Sequence, residues 1–247
     1  MNAYTSLAEA YDRLTWDVDY PRILDFLEAL LHDRGRHPQT VLDLACGTGS
    51  LSVLLAERGY RVIGADMSED MLAIASEKAC RLEENVPFFI CQCMERLALP
   101  EPVDCVVCCL DSLNYITDPA ACRKALERVY AALSPGGAFL FDVNTPEKLR
   151  AMDGQVFLDE DEDVYCVWRG AFDEGTRICS YGMDLFRRQG PVWRRSFEEH
   201  LEYAYTPQEL EQWLRDAGFS DIRVYGDGRM EPPAEGEQRV YFYACKE

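Results

Sequence analysis

A doubly wound, mainly parallel α/β sheet with an antiparallel insertion late in the chain is the fold this sequence predicts, on three observations. Strand-like apolar runs alternate with helical periodicity from about residue 41 to 143. A glycine turn joins the first of these strands to a helix. Beyond 164 the alternation gives way to period-two segments, and helical periodicity returns only at Thr206. With 247 residues and 48% hydrophobic composition, the chain suits one large α/β domain, or one domain carrying an insertion, with ample core.

Each element follows from local pattern. Pro21 opens a helix in which Ile23, Phe26, Leu27, Leu30 and Leu31 recur at helical spacing, ending near Gly35. There follow a strand over 41–46, a helix over about 48–58 with Gly59 as C-cap, a strand over 61–66 and a helix over about 68–82. Strands over 88–91 and 103–110, a helix from Asp118 and Pro119 to Leu133, a Pro135-Gly136-Gly137 turn and a strand over 138–143 complete five strands. Segments 164–172, 177–187 and 192–205 alternate apolar and polar residues around Asp173-Glu174-Gly175 and Gln189-Gly190 turns, so the insertion is expected to hold three antiparallel strands. The acidic run 159–163 reads as a solvated loop leading into it. Thr206 and Glu209 form a capping box ahead of Leu210, Trp213, Leu214 and Ala217, Gly218 closes that helix, and strands over 221–225 and 239–245 finish the sheet.

The 44 acidic against 25 basic residues give a net charge of −19, which disfavours nucleic acid and anionic membrane surfaces as partners and favours a small-molecule substrate. The longest apolar run, 103–110, is far shorter than the roughly 20 residues of a membrane helix. Eleven cysteines scattered through apolar runs, and an N-terminus without the basic and apolar regions of a signal peptide, place the chain in a reducing cytoplasm.

The first strand runs into Cys46-Gly47-Thr48-Gly49, where bare backbone can approach a ligand and the following helix directs free N–H groups at it. Asp66 closes the next strand 17 residues after Gly49, the spacing at which a carboxylate reaches the ribose of an adenosine bound over the turn. NAD and S-adenosylmethionine both satisfy this. A dinucleotide fingerprint, however, wants a third small residue where Ser52 stands and has no use for the acid at Asp43.

Through LDLACGTG at 42–49, GADMSEDML at 64–72 and LSPGGAFLFD at 133–142, the chain resembles the class I S-adenosylmethionine-dependent methyltransferases. The resemblance covers most of the chain and implies a Rossmann-like seven-stranded sheet of order 3-2-1-4-5-7-6 with the last strand antiparallel. It implies S-adenosylmethionine as cofactor, Asp43 orienting its amino acid end, and the backbone of Ala45 and Gly47 beside it. Asp66 would hold the ribose hydroxyls, Met67 and Met71 would pack on adenine, and the backbone near Leu110 would touch the cofactor. Where the family usually places an Asp for the adenine amino group this chain has Cys93, a poor acceptor, which leaves that role to the Met94 backbone. Tyr4, Leu7, Ala8, Tyr11 and Asp12, with DSLNY at 111–115, resemble a narrower group of bacterial small-domain methyltransferases in which N-terminal tyrosines lid the cofactor. On this basis residues 1–145 and 206–247 form the cofactor-binding domain, with 1–36 as a helical lid, and 146–205 form a substrate cap. Read from the residues alone, Tyr4, Tyr11, Trp16 and Tyr20 would as readily pack the first helix on the sheet, and Met71 would serve as a core position.

Cys91 with Cys93, and Cys105 with Cys108 and Cys109, have ligand-like spacings. The implied order separates their strands by two others, roughly 14 Å at about 4.8 Å per step, too far for one tetrahedral ion. Buried small hydrophobes are the expectation, and no metal. Of three histidines, only His200, in the insertion, is placed to meet a substrate. It is the candidate base, the alternative being a cross-strand hydrogen-bonded histidine. Arg187, Arg188, Arg194 and Arg195 border the same hairpin and could receive a substrate carboxylate or phosphate. The expected activity is methyl transfer to a small molecule. The alternatives are an S-adenosylmethionine-binding protein without turnover, or a tRNA or protein methyltransferase.

Overall fold

The computed structural model describes residues 11–12 and 15–247. From Tyr20 the chain runs through α1 (Tyr20–Asp33), β1 (Thr40–Leu44), α2 (Ser50–Glu57), β2 (Arg61–Asp66), α3 (Glu69–Ala79), β3 (Phe88–Cys91) and β4 (Val103–Cys108). It continues through α4 (Pro119–Ala132), β5 (Leu133–Asn144), α5 (Pro146–Ala151), β6 (Val156–Glu160), β7 (Val164–Asp173), β8 (Ile178–Gln189) and β9 (Val192–Tyr203). It ends with α6 (Pro207–Ala217), β10 (Ser220–Gly226) and β11 (Arg239–Cys245).

Seven strands form one sheet in the order β10-β11-β5-β4-β1-β2-β3. With the insertion's strands set aside this is the 3-2-1-4-5-7-6 arrangement, β11 running antiparallel to both β5 and β10. The period-two rule decides which helix each strand residue meets. Phe139, Phe141 and Val143 of β5 join Phe242 of β11, Leu126 and Val129 of α4, and Leu210 and Trp213 of α6 on one face. Ala138 and Leu140 join Leu24, Leu27 and Leu30 of α1 and Leu51 and Leu55 of α2 on the other. The rings of Phe139, Phe141 and Phe242 stack in sequence with centroids 4.6 Å apart at each step, tying β5 to β11 across the antiparallel junction.

The insertion differs from expectation. It is a separate four-stranded antiparallel sheet, β6-β7-β8-β9, rather than three strands. The additional strand, β6, takes in Asp159 and Glu160 of the acidic run, which is therefore only partly loop. Pairing with β7 compensates for its short, acid-ended sequence, and Asp159 accepts from the Trp168 indole at 3.1 Å. The Pro135-Gly136-Gly137 turn also lies inside β5. Gly136 donates to the Lys246 carbonyl and Lys246 donates back to Gly137, so the far end of the chain supplies the pairing that holds this stretch extended. Among the described residues no helix is long and apolar enough to cross a membrane.

Candidate active site

The parallel strands β1, β2 and β4 end at one edge of the sheet, and the turns that follow them line a cleft of about 420 Å³ against the edge strand β9 of the insertion. The turn after β1 is left-handed at Ala45 (φ 59°), Gly47 (φ 53°) and Gly49 (φ 73°). Two different needs are met by glycine here. A Cβ at Gly49 would sit 2.8 Å from the Cβ of Ala75, so glycine lets α3 pack on the turn. A Cβ at Gly47 would meet nothing within 4 Å, so glycine there keeps bare backbone open toward the cleft.

Asp66 ends β2 and locks this turn from the side. One carboxylate oxygen accepts from Gly47 N at 2.9 Å and the other from Ser68 N at 2.9 Å, while the group still faces the cleft. Burial pushes its carboxyl above the usual range, against the lowering pull of these backbone donors. Asp43 stands elsewhere than expected. It is 2% exposed and does not line the cleft, because the parity that turns Leu42 and Leu44 toward α4 turns Asp43 toward α2. There it accepts from the Ser52 hydroxyl at 2.5 Å, and burial raises its carboxyl to about 7.

The turn after β4 is strained in the same sense: Leu110 (φ 58°) and Asp111 (φ 52°) are left-handed non-glycine residues, each costing roughly 1–2 kcal/mol. A buried network offsets that cost. Leu110 N and Asp111 N donate to the two carboxylate oxygens of Asp142 at 2.7 and 2.9 Å, and Arg239 of β11 bridges Asp142 and Asp111. Asn114 extends the network to the Asn144 and Tyr203 carbonyls at 3.0 Å each, and the Asn144 amide donates to Glu202, a buried carboxyl that desolvation lifts to about 8. Leu110 is thereby presented to the cleft.

Of the other residues singled out from sequence, Tyr11, Ala45, Gly47, Met67, Met71, Cys93, Met94 and His200 all line the cleft, while Tyr4 lies outside the described residues. Met71 is buried and Met67 is 70% exposed at the rim. Tyr11 is steered by its neighbour: Asp12 accepts from the Thr48 hydroxyl at 2.7 Å and pairs with Lys78 at 2.8 Å, and Lys78 also donates to Thr48 and Ser50. This clasp binds Asp12, and with it Tyr11, to the glycine turn and to α3. Trp16, by contrast, is 79% exposed and does not pack α1 onto the sheet.

His200 is 4% exposed. Its Nε2 lies 3.6 Å from a Glu198 carboxylate oxygen, and its ring neighbours those of Tyr115 and Trp168, with centroids at 6.2 and 6.4 Å. None of the four candidate arginines lines the cleft. Arg195 joins Arg169 in binding Asp184, whose carboxyl these hydrogen bonds hold below its usual value. Trp168, Glu199, Gln92 and Glu95 also line the cleft and carry no local sequence signal for it. The cysteine reading needs correction in part: Cys105, Cys108 and Cys109 are buried thiols, but Cys91 is exposed and Cys93 only half-buried. Among the described residues no group of three or more His, Cys, Asp or Glu side chains is placed to hold a metal.

The cleft fits the cofactor that the motifs imply, since it offers the Asp66 carboxylate, open glycine backbone, and apolar walls from Met71, Met94 and Leu110. A methyltransferase-domain model matches residues 41–137. A methyltransferase-designated protein of Geobacillus sp. (strain WCH70) is 33% identical over 98% of this chain and 99% of its own length. YqeM of Bacillus subtilis (strain 168), also designated a methyltransferase, is 32% identical over 98% of this chain and 97% of its own. Neither designation names a substrate. The crystal structure of an S-adenosylmethionine-dependent methyltransferase from Clostridium acetobutylicum superposes with a TM-score of 0.86 at 29% identity, covering 99% of each chain. Sequence, sheet order and cleft agree, and this chain belongs to the S-adenosylmethionine-dependent methyltransferases.

Proposed function

We propose that this methyltransferase acts on a small molecule bound between the cofactor cleft and the inserted sheet, with His200 taking the acceptor's proton. The observation that carries this reading is the position of His200, buried in the cleft wall on β9 next to Tyr115 and Trp168. When bound, S-adenosylmethionine supplies an electrophilic methyl group on a sulfonium.

The chain's own residues divide the remaining work. Asp66 accepts from the ribose hydroxyls, and the Ala45–Gly47 backbone and Leu110 border the ligand. Met67, Met71, Cys93 and Met94 surround adenine, and Tyr11, held by the Asp12–Lys78 clasp, closes over it. Asp43 acts one layer back, by fixing Ser52 at the start of α2 and so the amide-bearing end of that helix. Residues 146–205 serve as the cap that excludes water from the acceptor, and alignment with desolvation does most of what an in-line displacement requires. A proton acceptor is needed only because the acceptor atom starts protonated. The size of the cleft and the net charge of −19 favour a small acceptor over tRNA.

Calorimetry with S-adenosylmethionine, followed by a methyl-release assay over a small-molecule panel, tests the proposal. His200→Gln is expected to leave cofactor affinity intact and to lower kcat by about a hundredfold or more. Tight cofactor binding without turnover on any acceptor would favour a binding protein, and salt-sensitive affinity for tRNA would favour a nucleic-acid substrate.

A further inference from the structure

Resting on the methyltransferase reading above, we infer that the acceptor atom is the nitrogen of an amine and that Glu199, which lines the cleft from the face of β9 opposite His200, selects for it.

Charge is the first support. The acidic and basic side chains lining the cleft among the described residues are Asp66, Glu95 and Glu199, with no lysine or arginine. Three cations of the neighbouring elements are held by other groups. Arg169 and Arg195 hold Asp184 at 2.5 and 2.6 Å, and Lys78 holds Asp12, Thr48 and Ser50. An acceptor bearing a carboxylate or phosphate would leave water for a wall of like charge without a counter-ion, whereas an ammonium meets attraction there.

The rings are the second support. Tyr115 and Trp168 line the cleft next to His200, and aromatic faces attract a cation through their quadrupoles. Proton handling is the third. Glu198 lies 3.6 Å from His200 Nε2, so a carboxylate stands beside the imidazole that takes the proton. The step then balances. His200 takes a proton from the bound ammonium, and the freed nitrogen lone pair forms the N–C bond to the methyl group. The C–S bond breaks as its electron pair passes to sulfur, and the methylated ammonium leaves as the product cation. A phenol or alcohol acceptor would yield a neutral product and draw nothing from the acidic wall.

The test uses the full chain saturated with S-adenosylhomocysteine. Calorimetry compares phenethylamine, 2-phenylethanol and phenylacetate, which share a frame and differ in the charge of the terminal group. Phenethylamine is expected to bind about tenfold or more tightly than phenylacetate and several-fold more tightly than 2-phenylethanol. Glu199→Gln is expected to cut the amine-to-alcohol ratio several-fold without moving the S-adenosylhomocysteine affinity. Phenylacetate or 2-phenylethanol binding as well as the amine, an amine that does not bind, or a ratio unmoved by Glu199→Gln would each overturn the inference. Failure of S-adenosylhomocysteine itself to bind would instead overturn the methyltransferase reading of the cleft, so the two failures are distinguishable.

Discussion

Asp43→Asn separates what the acid inside β1 does for stability from what it does for the cofactor. The carboxyl is 2% exposed, it accepts a hydrogen bond from the Ser52 hydroxyl at 2.5 Å, and burial raises it from 3.8 to about 7. A carboxyl raised on folding contributes its stability fully below its unfolded value, near pH 4, and loses it as pH rises through about 7. At about 1.4 kcal/mol per pH unit of separation, the loss reaches roughly 4 kcal/mol by pH 8, most of it between pH 4 and 7. Asparagine keeps an acceptor for Ser52 and cannot ionise, so the variant should match the wild type near pH 4 and exceed it increasingly above. For a chain of this size, the difference corresponds to a Tm gain of roughly 10 °C at pH 8. Thermal melts of both proteins without ligand, from pH 4 to 8, measure it, and subtracting the curves removes the contribution of every other acid. S-adenosylhomocysteine affinity, measured alongside at pH 7.5, should fall only modestly, because Asp43 does not line the cleft. Parallel pH curves for the two proteins would refute the desolvation reasoning, and a collapse of affinity in a folded variant would refute its placement one layer back.

Asp66→Ala removes a carboxylate from the cleft and the acceptor of Gly47 N and Ser68 N. Two lost charge-assisted hydrogen bonds to the ribose, at roughly 1.5–3 kcal/mol each, should weaken S-adenosylhomocysteine by about a hundredfold or more in calorimetry. Lys78→Ala cuts a clasp whose members are partly exposed, so the melt without ligand should change by about 1 kcal/mol or less, while stopped-flow dissociation of the cofactor should quicken several-fold as Tyr11 is released. Gly49→Ala places a Cβ 2.8 Å from the Ala75 Cβ at φ 73°, and denaturant titration should show a loss of roughly 2–4 kcal/mol.

The layered fold was readable from sequence because its strands and helices carry their periods locally, and the glycine turn and Asp66 because their spacing is local as well. Other features depend on which surfaces meet. β6 escaped notice because a five-residue strand ending in two acids is indistinguishable from a loop until β7 is beside it. Trp168 and Glu199 reach the cleft only through the way the second sheet docks on the first, and neither the turns nor the alternation within the insertion encode that placement. The retreat of Asp43 was in principle legible. It lies between Leu42 and Leu44, and strand parity sets it on the opposite face from them, under α2, where Ser52 supplies the partner. Arg239 could not have been found this way, since it stands 128 residues from Asp111 with no motif around it.

The place of Arg239 in the chain has a consequence for biosynthesis. The guanidinium that steadies the strained turn at Leu110 and Asp111 belongs to the last strand, which itself inserts between β5 and β10. A nascent chain that has emerged as far as residue 238 holds the cleft-lining turns after β1 and β4 but lacks the cation that secures the second. Methyl transfer is therefore expected only once β11 has been made, and a chain truncated before β11 is expected to be without this activity.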